Sequence, residues 1–289
     1  MGKQHHMWSH IDGVLVVNLD KNPERMEHFM EVNAPTMPLE KVERLSAVYG
    51  RDLPGFGAPP WFMPRTMERA GYWAGAAGCT LSHRNAIKTA KEKGWRNVLI
   101  MEDDAVTQDM PDAMQLLDEI FPLLTGQYML YFGYSRPTPY GKCVKKVGKH
   151  GLWQTEGVLS TFAYLVPESM YDLLLAEMPT DENVWEWHSI HRAIDSFYRD
   201  TVAARHGVKM YVIQPDLILH VDGASDINGK NVVYDRYDRN LEPLAYASVK
   251  GLWHVLMKPF HRLKVKLNAV RTHRRAIKGG FPGFKKRKK

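Results

Sequence analysis

Short apolar runs alternate along the chain with longer segments in which apolar residues follow a helical spacing. The runs at 13–19, 97–101 and 128–132 are continuous, as is typical of strands buried on both faces of a sheet. Strand and helix patterns alternate from residue 13 to residue 214. This order predicts a single α/β domain with a doubly wound, mostly parallel sheet and helices on both faces.

The boundaries of the predicted elements follow from turn residues and caps, such as Pro23 after Asn22 at the start of the first helix. The predicted strands cover residues 13–19, 42–48, 97–101, 128–132, 158–166 and 209–214, and the predicted helices cover residues 23–32, 79–93, 111–124, 167–177 and 187–205. The segment 54–65 is rich in proline and aromatic residues, which predicts an irregular loop, either a lid or an ordinary surface loop. Residues 134–156 are turn-rich and basic.

Three carboxylates, Glu102, Asp103 and Asp104, end the apolar strand at 97–101. Such a cluster of like charges is unfavourable at the end of a buried strand unless a cation is present. On an extended segment Glu102 and Asp104 point to one side, which makes them the expected ligands of Mn²⁺ or Mg²⁺. Asp103 is expected to point elsewhere, and a solvated acidic turn is the alternative.

His220 is the candidate for a third metal ligand because it lies beyond the last predicted strand. An ordinary surface or core histidine is the alternative. In doubly wound sheets ligands bind beyond the carboxyl ends of the strands. Residues 18–20 and 102–104 both follow such ends, so we expect them to line one crevice.

Residues suited to proton transfer and phosphate binding lie elsewhere in the chain. If the reaction is a displacement by a hydroxyl group, it needs a general base, for which Asp195 and Glu186 are the candidates. His188 and His191 have the spacing to share a helix face with Asp195, and an ordinary polar face is the alternative. Further residues could donate hydrogen bonds to an anion or pair with phosphates, namely Ser82, His83, Arg25 and Arg84.

Charge is distributed unevenly. Thirteen of the 39 Lys and Arg residues lie in 251–289, which contains no acidic residue, whereas all 32 Asp and Glu residues lie in 1–250. The sequence therefore predicts a disordered N-terminus at 1–10, one domain at 11–250 and a basic, amphipathic, helical or disordered tail at 251–289. An anionic membrane surface is the favoured partner of that tail, with nucleic acid and plain solvation as alternatives.

The two cysteines, Cys79 and Cys143, have no metal-ligand spacing and imply no disulfide framework. The N-terminus has no apolar signal region, and no stretch is long and apolar enough to span a bilayer. A cytoplasmic protein, peripheral on the inner face of the membrane, is expected.

Several motifs in chain order resemble family 25 glycosyltransferases, the lipooligosaccharide and collagen galactosyltransferases. The matching segments are Val17-Asn18-Leu19-Asp20 with Arg25, residues 44–50, residues 78–83 and residues 98–106, with weaker matches at 161–166, Asp195 and 225–227. The resemblance covers about residues 11–230. The loop 54–65, the segment 134–156 and the tail lie outside these motifs.

The resemblance implies a GT-A fold, a UDP-sugar donor with galactose as the common sugar, a Mn²⁺-type metal and inversion at the anomeric carbon. It implies a metal site formed by Glu102, Asp104 and His220. The residues that it places around the donor are Val17, Asn18, Leu19, Arg25, Ala47, Ser82, His83 and Asp103.

The function implied is transfer of a hexose from a UDP-sugar to a hydroxyl of a glycan or glycolipid acceptor of the lipopolysaccharide type. Asp195 or Glu186 would deprotonate that hydroxyl. Two alternatives remain. The first is a metal-dependent phosphoesterase or nuclease with a nucleic-acid-binding tail, and the second is a catalytically silent, glycosyltransferase-like binding module.

Overall fold

The computed structural model describes residues 6–108, 111–137, 140–220, 223–225, 230–232, 242–243 and 249–281. The strands are Gly13–Asn18 (β1), Val42–Ser46 (β2), Asn97–Glu102 (β3), Ala105–Thr107 (β4), Tyr128–Gly133 (β5), Arg136–Pro137 (β6), Tyr140–Val147 (β7), His150–Thr155 (β8), Val158–Leu159 (β9), Ala163–Pro167 (β10), Lys209–Gln214 (β11), Ile218–His220 (β12), Gly223–Ser225 (β13), Lys230–Val232 (β14) and Glu242–Pro243 (β15). The α-helices are Pro23–Asn33 (α1), Ala70–Glu92 (α2), Pro111–Ile120 (α3), Tyr171–Glu177 (α4), Val184–His191 (α5), Ile194–Phe197 (α6) and Val249–Gly279 (α7).

In the part of the chain that the structure describes, nine strands form one central sheet in the order β15-β7-β8-β11-β5-β10-β3-β1-β2. β1 pairs in parallel with β2 and β3, and β11 pairs in parallel with β5. β10 is antiparallel to both of its neighbours, and β8 is antiparallel to β11 and β7. All strands of this sheet except β8 and β10 therefore point the same way, which confirms the predicted mostly parallel α/β sheet.

Helices cover both faces of the sheet, as predicted. Val16 and Met101 point to the face on which α1 and α3 pack, together with Phe29 of α1. Leu15 and Ile100 point to the opposite face, where they meet apolar side chains of α2 and α4. Neighbouring positions on a strand thus belong to different cores, which explains why these strands are apolar without interruption.

Helix α2 begins at Ala70, nine residues before the predicted start. The segment 70–78 contains three glycines, which have a low intrinsic helix propensity. Tertiary packing explains their presence. A Cβ atom on Gly78 would lie 2.3 Å from the carbonyl oxygen of Val48, and one on Gly50 would lie 1.8 Å from that of Ala74. The helix and the chain after β2 approach so closely that only glycine fits at these two positions.

The segment 134–156, expected to be turn-rich, forms the antiparallel hairpin of β7 and β8 near one end of the sheet. Gly148 at the turn has φ of 55°, a conformation that glycine adopts without strain. Pairing of β8 with β11 stabilises an extended conformation in a segment whose own residues indicate turns.

The predicted helix at 187–205 is broken after His191. Arg192 has φ of 73°, and the chain resumes in α6 and then in a π-helix at Tyr198–Ala203. The prediction that His188, His191 and Asp195 share one helix face is therefore wrong. The break at Arg192 rotates α5, which carries the two histidines, relative to α6, which carries Asp195. The predicted strand at 158–166 is likewise divided, at Ser160, whose φ is 77°.

The described parts of both terminal regions pack against the domain. Residues 6–10 form a 3₁₀ helix with Trp8 buried, which corrects the expectation of disorder for that part of the N-terminus. Within the tail, α7 contacts α5, and Phe281 lies in a buried aromatic cluster with Phe62, Trp73 and Trp185. Among the described helices, none combines the length and apolar character needed to cross a membrane.

Candidate functional site

A cavity of about 390 Å³ lies at the edge of the sheet where β1, β2 and β3 end and β10 begins. Most of the residues predicted to bind a donor line it. They are Val17, Leu19, Arg25, Ala47, Ser82, His83, Asp103, and the three predicted metal ligands Glu102, Asp104 and His220. Asp195 also lines this cavity.

The three predicted metal ligands come together through two local features. Glu102 is the last residue of β3, and Asp104 lies in the turn that leads to β4. β12 pairs antiparallel with β4 so that His220 lies opposite Ala105, one residue after Asp104. As a result, His220 Nε2 is 2.7 Å from Asp104 Oδ1.

One ligand atom from each of Glu102, Asp104 and His220 lies within 4.8 Å of the other two. Two carboxylate oxygens and an imidazole nitrogen are donors that Mn²⁺ accepts, and Mg²⁺ accepts the carboxylates. The side chains are partly buried, so a cation bound there would still contact the cavity. The donor set thus fits the metal type expected from the sequence.

Asp103 does not belong to this group of ligand atoms and is held by two donors. Arg25 donates to Asp103 Oδ1, and Asn18 Nδ2 donates to Asp103 Oδ2 over 2.7 Å. Burial raises the pKa of Asp103 to about 6, and Arg25 and Asn18 oppose this shift. Arg25 also donates to Asp104 Oδ2 over 3.0 Å, so one guanidinium fixes two adjacent carboxylates of the turn.

Asn18 is itself buried and is absent from the residues that line the cavity. Its Oδ1 accepts a hydrogen bond of 2.8 Å from Arg44 Nε, and its Nδ2 also donates to the carbonyl of Asn22. Asn18 therefore orients Asp103 and the turn after β1, whereas the sequence led us to expect a direct contact with the nucleotide.

Helix α2 contributes His83 and Cys79 to the cavity wall. His83 is fully buried, and its Nδ1 is 2.8 Å from the hydroxyl of Tyr164. Its Nε2 has no hydrogen-bond partner within the described residues and lies 3.7 Å from Glu102 Oε1. Burial, with a contribution from Glu102, raises the pKa of the Cys79 thiol, which stays protonated.

Ser82 lies in the cavity wall, but its hydroxyl group is used in hydrogen bonds to the backbone. Its hydroxyl donates to the carbonyl of Gly78 over 2.7 Å and accepts from the amide of Val48 over 2.8 Å. These bonds hold the chain after β2 against α2 at the glycine contact described above.

The two candidate bases lie in different environments. Asp195, at the start of α6, accepts hydrogen bonds from the amides of Ser160 and Ser196 over 3.3 and 2.5 Å. Glu186, on α5, does not line the cavity, and its side chain is 60% exposed. Its carboxylate is 3.9 Å from His273 Nε2 on α7, so it faces the C-terminal helix.

The aromatic loop 54–65 packs away from the cavity, and none of its described side chains lines the cavity. Trp185 Nε1 donates to the carbonyl of Pro54 over 2.7 Å, and Phe62 lies edge-on to Phe281. The loop is thus part of the aromatic cluster that anchors the end of α7.

Sequence reasoning missed several cavity residues. Tyr49, Arg51 and Tyr72 add aromatic surface and a cation, and Ser160 and Thr161 form the wall beside Asp195. Tyr49 lies within the motif at 44–50 of the family 25 resemblance, and this position could have indicated it. No signal in the sequence indicates the left-handed backbone of Ser160.

Arg84, the other predicted phosphate contact, is directed elsewhere. Its guanidinium donates to the carbonyl of Leu175 over 3.5 Å, and it is absent from the cavity wall. The motif residues Asp226 and Ile227 lie outside the described residues.

No protein-family model matches the chain, and no curated protein matches it. Among solved structures, it is similar to a mannose-1-phosphate geranyltransferase from Thermus thermophilus, at 13% identity and a TM-score of 0.35, covering 73% of this chain and 74% of that one. It is also similar to A197 from STIV, at 10% identity and a TM-score of 0.37, covering 80% and 98%.

A third similar structure is a glycosyltransferase involved in the glycosylation of the major capsid of PBCV-1, at 10% identity and a TM-score of 0.39, covering 75% of this chain and 95% of that one. All three TM-scores are below 0.5. The α/β fold class therefore depends on the sheet order and direction observed in this chain.

Proposed function

We propose that the protein is a metal-dependent, inverting glycosyltransferase. It would transfer a hexose, galactose being the expected sugar, from a UDP-sugar to a hydroxyl of a glycan or glycolipid acceptor of the lipopolysaccharide type. One observation carries the proposal: Glu102, Asp104 and His220 converge at the carboxyl edge of a mostly parallel sheet, in a cavity that also contains Asp195. The family 25 resemblance agrees with this arrangement.

Glu102, Asp104 and His220 would hold the metal ion. When bound, Mn²⁺ or Mg²⁺ would neutralise the diphosphate and the charge that develops on the leaving group. Arg25 keeps the Asp104 carboxylate in place by donating to Oδ2, which leaves Oδ1 on the side of His220. Asp103 serves the turn through Arg25 and Asn18 and is not needed as a ligand.

The cavity offers contacts for the rest of a nucleotide. Val17, Leu19 and Ala47 provide apolar wall beside Tyr49, and Arg51 contributes a cation. Its volume of about 390 Å³ falls in the range that is common for small-molecule sites. His83 lines the cavity, and its Nε2 has no hydrogen-bond partner among the described residues. An oxygen atom of the UDP-sugar could accept a hydrogen bond from this nitrogen.

Asp195 is the proposed general base. It lines the same cavity, and two backbone amides fix the orientation of its carboxylate. Inversion needs a base on the side of the sugar opposite the diphosphate. This base would accept the proton of the acceptor hydroxyl as the new bond forms. A carboxylate at this position would also stabilise an oxocarbenium-like transition state.

The proposed partner of the tail is an anionic membrane surface. Seven of the exposed large apolar side chains that the structure describes in α7 lie on one side of the helix. Six of them follow a regular three- and four-residue spacing from 253 to 270. The seven are Trp253, Leu256, Phe260, Leu263, Leu267, Val270 and Ile277. They form one stripe on the outer side of the helix, because Ala276, on the opposite side, is fully buried. We call these seven residues the apolar stripe.

Charge around the apolar stripe favours lipid over a second copy of the chain. α7 contains no acidic residue, and Lys264, Lys266 and Arg271 are exposed beside the stripe. In a coiled-coil pairing of two copies, residues at such flanking positions would repel each other. An anionic lipid surface would attract them while the apolar side chains enter the interface.

The proposed activity can be tested by thermal shift and sugar-nucleotide hydrolysis with a panel of UDP-, GDP- and CMP-sugars, with and without Mn²⁺. We expect Mn²⁺-dependent stabilisation by UDP and by a UDP-hexose. Asp104→Ala should abolish hydrolysis and the Mn²⁺-dependent part of the shift. Asp200→Ala, which removes an acidic side chain away from the cavity, is the control and should retain both. The absence of any UDP-dependent shift in the presence of Mn²⁺ would refute the proposed donor.

A further inference from the structure

A second and larger cavity, of about 630 Å³, lies between α7, the π-helix at 198–203 and the strands β8 and β11. We call it the basic groove. Six Lys and Arg residues line it against two acidic residues; the six are Arg199, Arg205, Lys209, Lys258, Arg262 and Lys266. It shares no residue with the candidate donor site.

Two of these cations are neutralised within the groove. Arg199 makes a two-point ion pair with Asp200, in which Nε is 2.7 Å from Oδ1 and Nη2 is 2.9 Å from Oδ2. Lys258 pairs with Glu156 and so ties α7 to the end of β8. Both acidic residues of the groove are therefore already used.

The other four cations, Arg205, Lys209, Arg262 and Lys266, have no ion pair among the described residues. They come from three elements: Arg205 follows the π-helix, Lys209 begins β11, and Arg262 and Lys266 lie one turn apart on α7. Cations that converge from separate elements without carboxylate partners produce a positive potential in the concave space between them. A ligand with several negative oxygens would satisfy this arrangement.

We propose that the basic groove binds a compact phosphate-bearing ligand with one or two phosphate groups, and not a nucleic-acid strand. Guanidinium and ammonium groups form charge-assisted hydrogen bonds with phosphate oxygens, and Arg205 and Arg262 can each do so through two nitrogens. The groove is large enough for two phosphate groups. It adjoins the helix that bears the apolar stripe, so a lipid headgroup and a soluble phosphate-bearing glycan are both sources of the same chemistry.

The probe for this site is inorganic pyrophosphate, titrated calorimetrically into the full chain in the presence of EDTA. We expect saturable binding with one site. In Arg205→Ala/Lys209→Ala the Kd should rise about tenfold, because two charge-assisted contacts are lost. Both side chains are exposed and lie outside α7, so the fold and the apolar stripe should be unaffected. Lys149→Ala/Lys278→Ala removes the same charge from exposed positions outside the groove and should leave the Kd unchanged.

Two further experiments separate this site from the donor cavity and identify the ligand source. Arg51→Ala removes a cation of the donor cavity and should leave the Kd of pyrophosphate unchanged, whereas a tenfold rise would overturn the proposal by placing the anion in the donor cavity. If pyrophosphate and Arg205→Ala/Lys209→Ala both weaken binding to phosphatidylglycerol vesicles, the ligand is a headgroup. If neither does, it is a soluble phosphate compound, and the groove is still supported.

Three further results would overturn the proposal. The first is the absence of saturable pyrophosphate binding. The second is an equal loss of affinity in the Lys149→Ala/Lys278→Ala control, which would indicate a diffuse effect of net charge. The third is tighter binding of an oligouridylate than of pyrophosphate with the same dependence on Arg205 and Lys209, which would assign the groove to RNA.

Discussion

At the scale of single residues, the candidate site depends on how each carboxylate is held. Asp104 contacts Arg25 and His220. Asp103 accepts hydrogen bonds from Arg25 and Asn18, and Asp195 accepts them from two backbone amides. Adjacent carboxylates therefore have different tasks because their neighbours differ. Proton transfer by a carboxylate can be tested separately from donor binding.

Asp195→Asn should lower kcat about 100- to 10,000-fold, since an asparagine amide cannot take up the proton of the attacking hydroxyl group. The shift in melting temperature produced by UDP and Mn²⁺ should be retained, because Asp195 is not among the proposed metal ligands. Glu186→Gln makes the same chemical change outside the cavity and should keep activity. Steady-state kinetics with a UDP-hexose and the thermal shift check both. Loss of activity in Glu186→Gln alone would reverse the assignment of the base.

His188 should make the fold sensitive to acid. Burial lowers its pKa from 6.5 to about 4. The unfolded chain therefore binds a proton between pH 6.5 and 4 that the folded chain does not, so stability falls as the pH decreases through this window. A shift of this size corresponds to about 3 kcal/mol at pH 4. Urea unfolding of His188→Gln should show a correspondingly flatter pH profile.

The exposed His28 provides the control for that measurement. His28→Gln should leave the profile of the parent protein unchanged between pH 6.5 and 4. An identical profile in His188→Gln would contradict the assigned role, and the remaining slope should then be sought at His191, whose pKa is also lowered to about 4.

At the scale of elements, the site is assembled by three contacts between separate segments. β12 brings His220 to the acidic turn by pairing with β4. β10 runs antiparallel beside β3 and so delivers Ser160 and Thr161 to the same edge. Helix α2 approaches the chain after β2 through Gly50 and Gly78, and this places Ser82 and His83 in the cavity wall.

Gly78→Ala should lower the free energy of unfolding by about 1–3 kcal/mol, because its Cβ would overlap the backbone at Val48 and Gly50. Gly71→Ala, in the same helix, meets only the end of the Arg51 side chain at 2.9 Å. This flexible group can move, so the control should be neutral or stabilising as expected for alanine in a helix. Chemical denaturation measures both, and equal effects would refute the close contact.

At the scale of the whole molecule, α7 has an inner side that packs on the domain and an outer side that carries the apolar stripe. Phe281 stacks on Trp73 with ring centroids 4.4 Å apart, and Ser189 Oγ is 2.6 Å from His273 Nδ1. The inner contacts should govern stability, whereas the outer side chains should govern binding to membranes.

Phe281→Ala should therefore lower the free energy of unfolding by about 3–4 kcal/mol, as for other buried aromatic residues. Phe260→Ala, on the apolar stripe and 64% exposed, should change it by less than about 0.5 kcal/mol. The same Phe260→Ala change should weaken binding to anionic vesicles about tenfold, through the loss of apolar area in the lipid interface. Unfolding and vesicle co-sedimentation measure the two effects, and vesicle binding unaffected by Phe260→Ala would contradict the membrane proposal.

Features that depend on local pattern could be predicted from the amino-acid sequence. Uninterrupted apolar runs indicated the central strands, and the abrupt change from Met101 to three carboxylates marked the acidic turn. Both signals are local because burial of a strand and the clustering of like charges involve neighbouring residues. The alternation of strands and helices was sufficient for the fold class.

The contacts between distant groups, in contrast, became visible in the folded chain. Pairing of β12 with β4 brings His220 to Asp104, and the left-handed backbone of Arg192 separates His188 and His191 from Asp195. Glycine has a low intrinsic helix propensity, yet the missing side chain of Gly78 allows α2 to pack closely on the chain after β2. Such contacts join segments far apart in the chain, and their energies depend on geometry that no local pattern records.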